Sequence, residues 1–197
     1  MTSNPLKFWF DFASPYAWLA FDELHKIAEA AGREVELKPV LLWAVLKAQD
    51  IPAPMEREAK RGYMMADMTR SAAYLGLPLV LPEPFMISSH LAARLCHGVM
   101  LEGDDARGLA RALFAARFTQ GADLSRPEVL DEITQGMGIA PEEAARLQSS
   151  PEARARLVAA NEEAAARGIW GVPFVELDEE GFFGVDRLPQ LRWRLGL

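Results

Sequence analysis

The amino-acid sequence predicts an α/β fold that contains a large helical section. Three observations support this prediction. A strand–helix–strand pattern fills roughly the first forty residues, helical periodicity dominates from Met55 to about Arg167, and strand character returns only at Pro173. Half of the 197 residues are apolar, which is enough for a substantial hydrophobic core.

The first strand is predicted over residues 6–12, where large side chains occupy both alternating sets of positions. We therefore expect both faces of this strand to be covered. Ser14 and Pro15 then supply an N-cap and a first-turn proline for a helix, and Gly32 is a natural stop. A second strand is predicted over residues 35–42, which favours a parallel pair with a right-handed crossover.

The middle of the chain is predicted to be entirely helical. Candidate helices open at residues with N-terminal chemistry and are separated by breaks that contain proline or glycine. They are expected at residues 56–75, 88–100 and 104–119, followed by helices that start at Ser125, Pro141 and Ser150.

The C-terminal part is predicted to form a strand at residues 173–177, a hairpin turn at 178–181 that leads into a second strand at Phe182 and Phe183, and a last helix at 188–195. The resulting order resembles that of a thioredoxin-like domain with an all-helical insertion in its middle. We therefore predict a thioredoxin-like domain built from residues 1–45 and 168–197, and a helical insertion domain at residues 46–167.

Composition excludes several classes of function. The net charge of −7 provides no basic field for nucleic acid. No apolar run is long enough to span a membrane and the N-terminus lacks a signal-peptide core, so we expect a cytoplasmic protein without a membrane partner. Cys96 is the single cysteine, which excludes an internal disulfide and a CxxC pair. His25, His90 and His97 share no metal-ligand spacing, so no metal site is predicted, and His25 is expected to be exposed.

Ser14 is the first candidate for a functional residue, because it lies where a buried strand meets a helix. It either caps the helix and does nothing else, as we expect for Ser150, or it donates a hydrogen bond to an anion held at the helix N-terminus. No base lies near it in the sequence to make it a nucleophile. A thioredoxin-like protein would carry reactive cysteines at Ser14 and Ala17, so here the thiol would have to arrive on a ligand.

Two further candidates lie near the C-terminus. Pro173 either opens an edge strand or follows a cis peptide bond, in which case the Val172 backbone could pair with an extended peptide ligand. Asp186 is either the N-cap of the last helix or, with the adjacent N–H groups, a holder of the charged ends of a small ligand. Both pairs of interpretations stay open at this stage.

Four segments resemble a known family. They are residues 10–17 (Phe-Asp-Phe-Ala-Ser-Pro-Tyr-Ala), 114–130 (from Phe-Ala-Ala-Arg to Glu-Val-Leu), 171–173 (Gly-Val-Pro) and 183–188 (Phe-Gly-Val-Asp-Arg-Leu). Together they resemble the 2-hydroxychromene-2-carboxylate isomerases, which are close to the kappa-class glutathione transferases within the DsbA-like thioredoxin superfamily. The resemblance covers nearly the whole chain in the right order.

This resemblance implies reduced glutathione as the cofactor, a small aromatic substrate and a homodimer. It implies that Ser14 stabilises the glutathione thiolate and that Val172, before a cis Pro173, pairs with the glutathione backbone amide. The remaining implied glutathione contacts are Lys60 on a carboxylate, and Val185 with Asp186 on the γ-glutamyl end.

The chain departs from the family pattern at three places. Ile51 stands where an asparagine is common, Ser88 lies in a segment that often reads Phe-Pro-x-Asn-Thr, and Phe174 replaces a small hydroxyl residue. The leading interpretation is a glutathione-dependent cis–trans isomerase of 2-hydroxychromene-2-carboxylate-type intermediates of aromatic catabolism. A kappa-like glutathione S-transferase and a redox-inactive thioredoxin-like binding protein are the alternatives.

Overall fold

The computed structural model describes residues 4–197. Its strands are β1 (Leu6–Phe10), β2 (Val35–Pro39), β3 (Phe174–Leu177) and β4 (Glu180–Phe183). Its helices are α1 (Pro15–Ala30), α2 (Leu42–Ala48), α3 (Glu58–Leu75), α4 (His90–Leu101), α5 (Arg107–Gln120), α6 (Pro127–Gly136), α7 (Pro141–Ser149), α8 (Pro151–Ala166) and α9 (Leu188–Arg194). A short 3₁₀ turn at Val185–Arg187 precedes α9.

The four strands form one mixed sheet in the order β2-β1-β3-β4. The β1 and β2 strands run parallel, with Leu6 opposite Val35 and Phe10 opposite Pro39. The β3 strand is antiparallel to both β1 and β4. As a result, the C-terminal end of β1 lies beside the N-terminal end of β3.

Both faces of β1 are buried, as its sequence predicts. Phe8 and Phe10 belong to the main hydrophobic core, whereas Trp9 packs on the other face in a second, smaller cluster. The ring centroid of Phe114, on α5, lies 5.4 Å from that of Phe10 and 4.9 Å from that of Phe12. The helical section therefore packs directly on the first strand of the sheet.

The structure confirms the α/β class with an all-helical section between β2 and β3. The division into residues 1–45 with 168–197 and residues 46–167 stays a prediction. Its first boundary falls inside α2, and the main core draws side chains from both proposed parts. No helix among residues 4–197 is long and apolar enough to cross a bilayer.

Several predicted element boundaries are wrong. The β1 strand ends at Phe10 rather than at residue 12, and β4 begins at Glu180, within the predicted turn. The second strand ends at Pro39 and α2 follows it, because the unbroken apolar run from Val40 to Leu46 carries no periodicity that separates strand from helix. The α6 helix does not start at a Ser125 cap. Its N-cap is Arg126, and the Ser125 hydroxyl instead donates to Asp123 Oδ1 at 2.7 Å.

The prediction that His25 is exposed is also wrong. Its side chain lies on the core-facing side of α1 and is only 5 % exposed. Its Nδ1 makes a 2.8 Å hydrogen bond with the carbonyl oxygen of Phe21, one helical turn earlier, and its ring lies 4.5 Å from the Phe21 ring. A histidine with its polar atom satisfied inside the helix behaves as a core residue, and burial lowers the pKa of His25.

Candidate functional site

Ser14 occupies the N-cap of α1, as its sequence context predicts. Its backbone is extended (φ −95°, ψ 112°), and Pro15 follows at the first helical position. The half-buried hydroxyl accepts a hydrogen bond from the Ala17 N–H at 3.3 Å, which is long for such a contact. Within residues 4–197 the hydroxyl donates to no acceptor. Ser14 therefore offers an unused proton at the positive end of a helix.

A buried carboxylate organises the surroundings of Ser14. Asp11 is 5 % exposed, and its backbone carbonyl accepts the Ser14 N–H at 2.9 Å. Its Oδ1 accepts the Ala13 N–H at 2.8 Å and the Ser89 hydroxyl at 2.6 Å, and its Oδ2 accepts the Leu42 N–H at 2.8 Å. Burial raises the pKa of Asp11, although all three of these bonds oppose that shift.

Three helices begin around this carboxylate. Asp11 binds the loop into α1, the first residue of α2 and Ser89, which is the N-cap residue of α4. Helix N-termini carry partial positive charge, so their convergence makes this end of the sheet favourable for an anion. The roles of Asp11 and Ser89 were not predicted from the sequence. The available signal was an acidic residue directly after the apolar run Phe8-Trp-Phe10.

The Val172–Pro173 segment lies beside the same junction. The peptide bond between the two residues is cis. Trp9 pairs with Phe174, and the continuation of that register places Val172 next to Asp11. The Val172 side chain is buried, while its backbone N–H and carbonyl form no hydrogen bond to any of the described residues 4–197. A backbone pair left free beside a strand is suited to a peptide-like ligand.

The segment from Gly184 to Asp186 reaches this end of the sheet through β4. The Gly184 N–H donates to the Pro173 carbonyl at 2.9 Å, and the following 3₁₀ turn packs against α1. Gly184 has a φ of 100°, and a side chain there would also collide with the Asp186 carboxylate. Val185 is half-buried, whereas the Asp186 side chain is 70 % exposed and pairs only with Arg187, at 3.5 Å, among the described residues.

The interpretation of Asp186 as the N-cap of the last helix is wrong. Asp186 lies within the 3₁₀ turn, and the N-cap of α9 is Arg187, which makes no side-chain capping bond. Its carboxylate is therefore not occupied by helix capping. The alternative role, as part of a ligand site, stays a prediction.

The structure does not bring Lys60 into contact with the other candidates. It is exposed in the first turn of α3 and has no hydrogen bond or ion pair in the part of the chain that is described. The α3 helix is nevertheless attached to α1, because the Tyr16 hydroxyl donates to Asp67 Oδ2 at 2.7 Å and Arg70 also binds Asp67. This link was not predicted, since Tyr16 and Asp67 are distant in sequence.

The three positions that depart from the family pattern have structural partners. The Ile51 N–H donates to the Leu46 carbonyl at 3.0 Å, after the end of α2. The Ser88 hydroxyl and His90 Nδ1 lie 3.0 Å apart. The Phe174 ring lies across Gly181 on β4, where any side chain would collide with it.

Two other features lie away from Ser14. A cavity of about 410 Å³ runs along β2 between α4 and α8 and is lined by residues that include Lys38 and His97. Cys96 is fully buried on α4, and burial raises the pKa of its thiol to about 12, so we expect it to react slowly with alkylating reagents. Among residues 4–197, no group of three or more His, Cys, Asp or Glu side chains could hold a metal ion.

The fold and the N-capped junction define a class of protein. The DSBA-like thioredoxin domain matches residues 5–196, and the chain belongs to this family. This agrees with the superfamily resemblance seen in the sequence.

The relatives within the family are more specific. The chain is 29 % identical to a 2-hydroxychromene-2-carboxylate isomerase of Sphingobium xenophagum, over 94 % of this chain and 95 % of that protein. It is 26 % identical to glutathione S-transferase kappa 2 of Caenorhabditis elegans, over 94 % and 89 % of the two chains. A solved 2-hydroxychromene-2-carboxylate isomerase superposes with a TM-score of 0.81 at 26 % identity, covering 97 % of this chain and 94 % of the other.

Proposed function

We propose that the protein is a glutathione-dependent cis–trans isomerase of 2-hydroxychromene-2-carboxylate-type intermediates of aromatic catabolism. The observation that carries this proposal is the unused Ser14 hydroxyl at the N-terminus of α1, at the place where a thioredoxin-like protein would have its own thiol. The isomerases among its relatives support the reaction, and the kappa-class relatives support the cofactor.

Groups on four residues besides Ser14 complement a bound tripeptide thiol. The free backbone of Val172 is complementary to a peptide amide. The exposed Asp186 carboxylate, beside Val185, suits the ammonium group of the γ-glutamyl end. Lys60 is an exposed ammonium without a carboxylate partner in the described chain, as a glutathione carboxylate would require. We assign these four residues to glutathione binding on that basis.

Ser14 acts by stabilising negative charge. When bound, glutathione supplies the sulfur that carries the covalent step and thereby lets a double bond of the substrate rotate. The Ser14 hydroxyl would donate a hydrogen bond to the thiolate, and the partial positive charge at the N-terminus of α1 would favour the ionised thiol. The chain contributes orientation and electrostatic stabilisation, which are effective because the donors are fixed before the reaction.

The first test compares two serines in the same local motif. Both Ser14 and Ser150 precede a proline and cap a helix, and the Ser150 hydroxyl accepts the Ala153 N–H at 3.1 Å. Calorimetric titration should show that the protein binds reduced glutathione more tightly than S-methylglutathione. Ser14→Ala should reduce that preference about tenfold, which corresponds to about 1.4 kcal/mol. Ser150→Ala should leave the preference unchanged.

The outcomes of this titration separate the possible functions. An absence of binding at millimolar glutathione would contradict every glutathione-dependent function and favour the redox-inactive binding protein. If Ser14→Ala and Ser150→Ala reduce the preference for reduced glutathione by the same factor, the effect is not specific to Ser14. That result would contradict the proposed role of Ser14. Isomerase activity that persists unchanged in both Ser14→Ala and Ser14→Cys would rule out the proposed mechanism.

A kappa-like glutathione S-transferase is the second candidate, and the kappa 2 relative favours it. Conjugation of glutathione to a chlorodinitrobenzene-type electrophile, with no turnover of 2-hydroxychromene-2-carboxylate, would establish this function instead.

We also propose that the protein is a homodimer. Sedimentation equilibrium at micromolar concentration tests this proposal, and a single species of monomer mass would refute it.

A further inference from the structure

An arginine on α4 is held without an acidic partner. Arg94 is half-buried, and its Nε atom is inaccessible to solvent and has no hydrogen-bond partner. Among residues 4–197, no Asp or Glu carboxylate lies within ion-pair distance of Arg94. By contrast, Arg111 on α5 forms a bidentate pair with Asp22, with Nε 2.9 Å from Oδ1. Arg94 therefore carries a charge that the described chain leaves uncompensated.

Two more basic groups lie near Arg94. His90 precedes it by four residues, so the two side chains share one face of α4. The α8 helix packs against α4 and carries Arg154 in its first turns. Burial, and then the charge of Arg154, lower the pKa of Arg94, while burial and the charge of Arg94 lower the pKa of His90. Repulsion between Arg94 and Arg154 and the unpaired, buried Nε atom of Arg94 both disfavour the folded protein, and a bound anion would relieve both.

The helix that carries His90 and Arg94 begins at the Ser14 junction. The α4 helix begins immediately after Ser89, whose hydroxyl donates to Asp11, and Asp11 precedes Ser14 by three residues. His90 and Arg94 thus occupy the first two turns of a helix that starts at the proposed glutathione site.

The sheet order separates His90 and Arg94 from most of the proposed glutathione contacts. The α4 helix packs on the β2 side of β1, where His97 Nε2 lies 2.9 Å from the Pro39 carbonyl oxygen. Val172 and Asp186 lie on the opposite side of β1, at β3 and β4. The proposed carboxylate site and the glutathione contacts at β3 and β4 therefore lie on different sides of β1.

We propose that Arg94, supported by His90 and Arg154, binds the carboxylate of the aromatic substrate. The planar guanidinium matches a carboxylate with two parallel hydrogen bonds, and the anion compensates the charges of Arg94 and Arg154. The identity of the substrate rests on the proposed function. The carboxylate site itself rests on the unpartnered arginine and its position at the start of α4.

The test uses a stable analogue, chromone-2-carboxylate, and its neutral control, chromone-2-carboxamide. Calorimetry on the full chain, with and without saturating reduced glutathione, should show that the acid binds at least about tenfold more tightly than the amide, as expected for a charge-assisted pair. Arg94→Gln should abolish this preference, and Arg154→Gln should reduce it by a smaller factor. Arg126→Gln is the matched control, because Arg126 is exposed and lies 3.6 Å from Glu128.

If Arg94 had only a structural role, it would not make the protein bind the acid more tightly than the amide. We expect Arg94→Gln to melt no lower than the unmodified protein, because the substitution removes an unpaired, partly buried charge. Equal binding of acid and amide to the unmodified protein, or an acid preference that survives Arg94→Gln, would overturn the proposal. A loss of glutathione affinity in Arg94→Gln with the acid preference intact would assign Arg94 to a glutathione carboxylate instead.

The proposed function and this site can fail separately. If the protein binds chromone-2-carboxylate through Arg94 but does not bind glutathione, the carboxylate site stands and the glutathione-dependent reaction is wrong. If it binds glutathione with a Ser14-dependent preference but does not prefer the acid over the amide, the glutathione-dependent function stands and the carboxylate site is wrong.

Discussion

Asp11 is the residue on which the geometry around Ser14 most depends. Its carboxylate accepts three hydrogen bonds from groups that start three different helices. Asp11→Ala would leave two backbone N–H groups and the Ser89 hydroxyl without an acceptor in a buried place. We expect a loss of about 3 kcal/mol or more in the free energy of unfolding, measured by urea denaturation.

Asp11→Asn refines this prediction. The amide keeps the shape of the carboxylate but offers one acceptor oxygen instead of two. We therefore expect the free energy of unfolding of Asp11→Asn to lie between that of the unmodified protein and that of Asp11→Ala. Asp22→Ala is the matched control, because its carboxylate pairs with Arg111 at the surface. An exposed pair contributes about 1 kcal/mol or less. Similar losses for Asp11→Ala and Asp22→Ala would contradict the organising role of Asp11.

His97 makes stability depend on pH. It is 2 % exposed, and burial lowers the pKa of its imidazole to about 4, whereas the unfolded chain takes up this proton near the ordinary value of 6.5. The unfolded state therefore binds more protons between these two values, so stability falls as the pH falls from 6.5 towards 4. The expected contribution is about 3 kcal/mol across this window.

Comparison with His97→Gln isolates this effect from the titration of carboxylates. The glutamine amide in this variant can still donate to the Pro39 carbonyl but does not ionise. The unfolding free energy of the variant should change less between pH 4 and 6.5 than that of the unmodified protein. Parallel pH profiles for the two proteins would show that His97 is not responsible.

At the scale of elements, Arg117 connects α5 to the segment before α4. Its guanidinium donates to the carbonyls of Pro84 and Phe85 at 2.7 and 2.9 Å and to that of Ala122 at 3.0 Å. We expect Arg117→Met to lower stability by about 3 kcal/mol, because it removes the three charge-assisted hydrogen bonds that this fully buried side chain makes to backbone carbonyls. Hydrogen exchange should accelerate first around residues 80–89. Uniform acceleration along the chain, with no local difference, would contradict this specific role.

The sequence predicted the elements whose signals are local. The start of α1 at Ser14 and Pro15, the helices that open at Pro141 and Ser150, and the C-terminal hairpin all follow from caps, prolines and turn residues. The α2 helix was missed because its start is specified by a distant contact, from Asp11 Oδ2 to the Leu42 N–H. A continuous apolar run fits a strand as well as a helix until such a contact is known.

The same distinction applies to the site. Ser14, Val172 and Asp186 stand at recognisable motifs, and the structure places them at one end of the sheet. Asp11 has only a weak sequence signal, because the three hydrogen bonds that its carboxylate accepts form on folding. Arg94 has none, because its lack of an acidic partner is a property of the folded chain. An aspartate after a strand and an arginine on a helix are otherwise ordinary surface residues.

For the whole molecule, the shared core predicts one cooperative unfolding transition. Phe114 of the helical section contacts Phe10, Phe12 and Phe21 of the sheet and α1. Phe114→Ala should therefore destabilise the entire protein by about 3–5 kcal/mol. Far-ultraviolet and near-ultraviolet circular dichroism should report the same melting temperature. Two separate transitions would show that the helical section unfolds as an independent domain.

The buried position of Cys96 has a consequence for chemical labelling. The chain contains one cysteine, and that cysteine is 0 % exposed. A Ser14→Cys variant would thus carry a single accessible thiol, at the N-terminus of α1. Its alkylation rate as a function of pH would report the thiolate fraction at that position, without background from any other side chain of the same type. The Ser14→Cys variant would therefore measure how strongly the N-terminus of α1 favours the ionised form of a sulfur atom placed there.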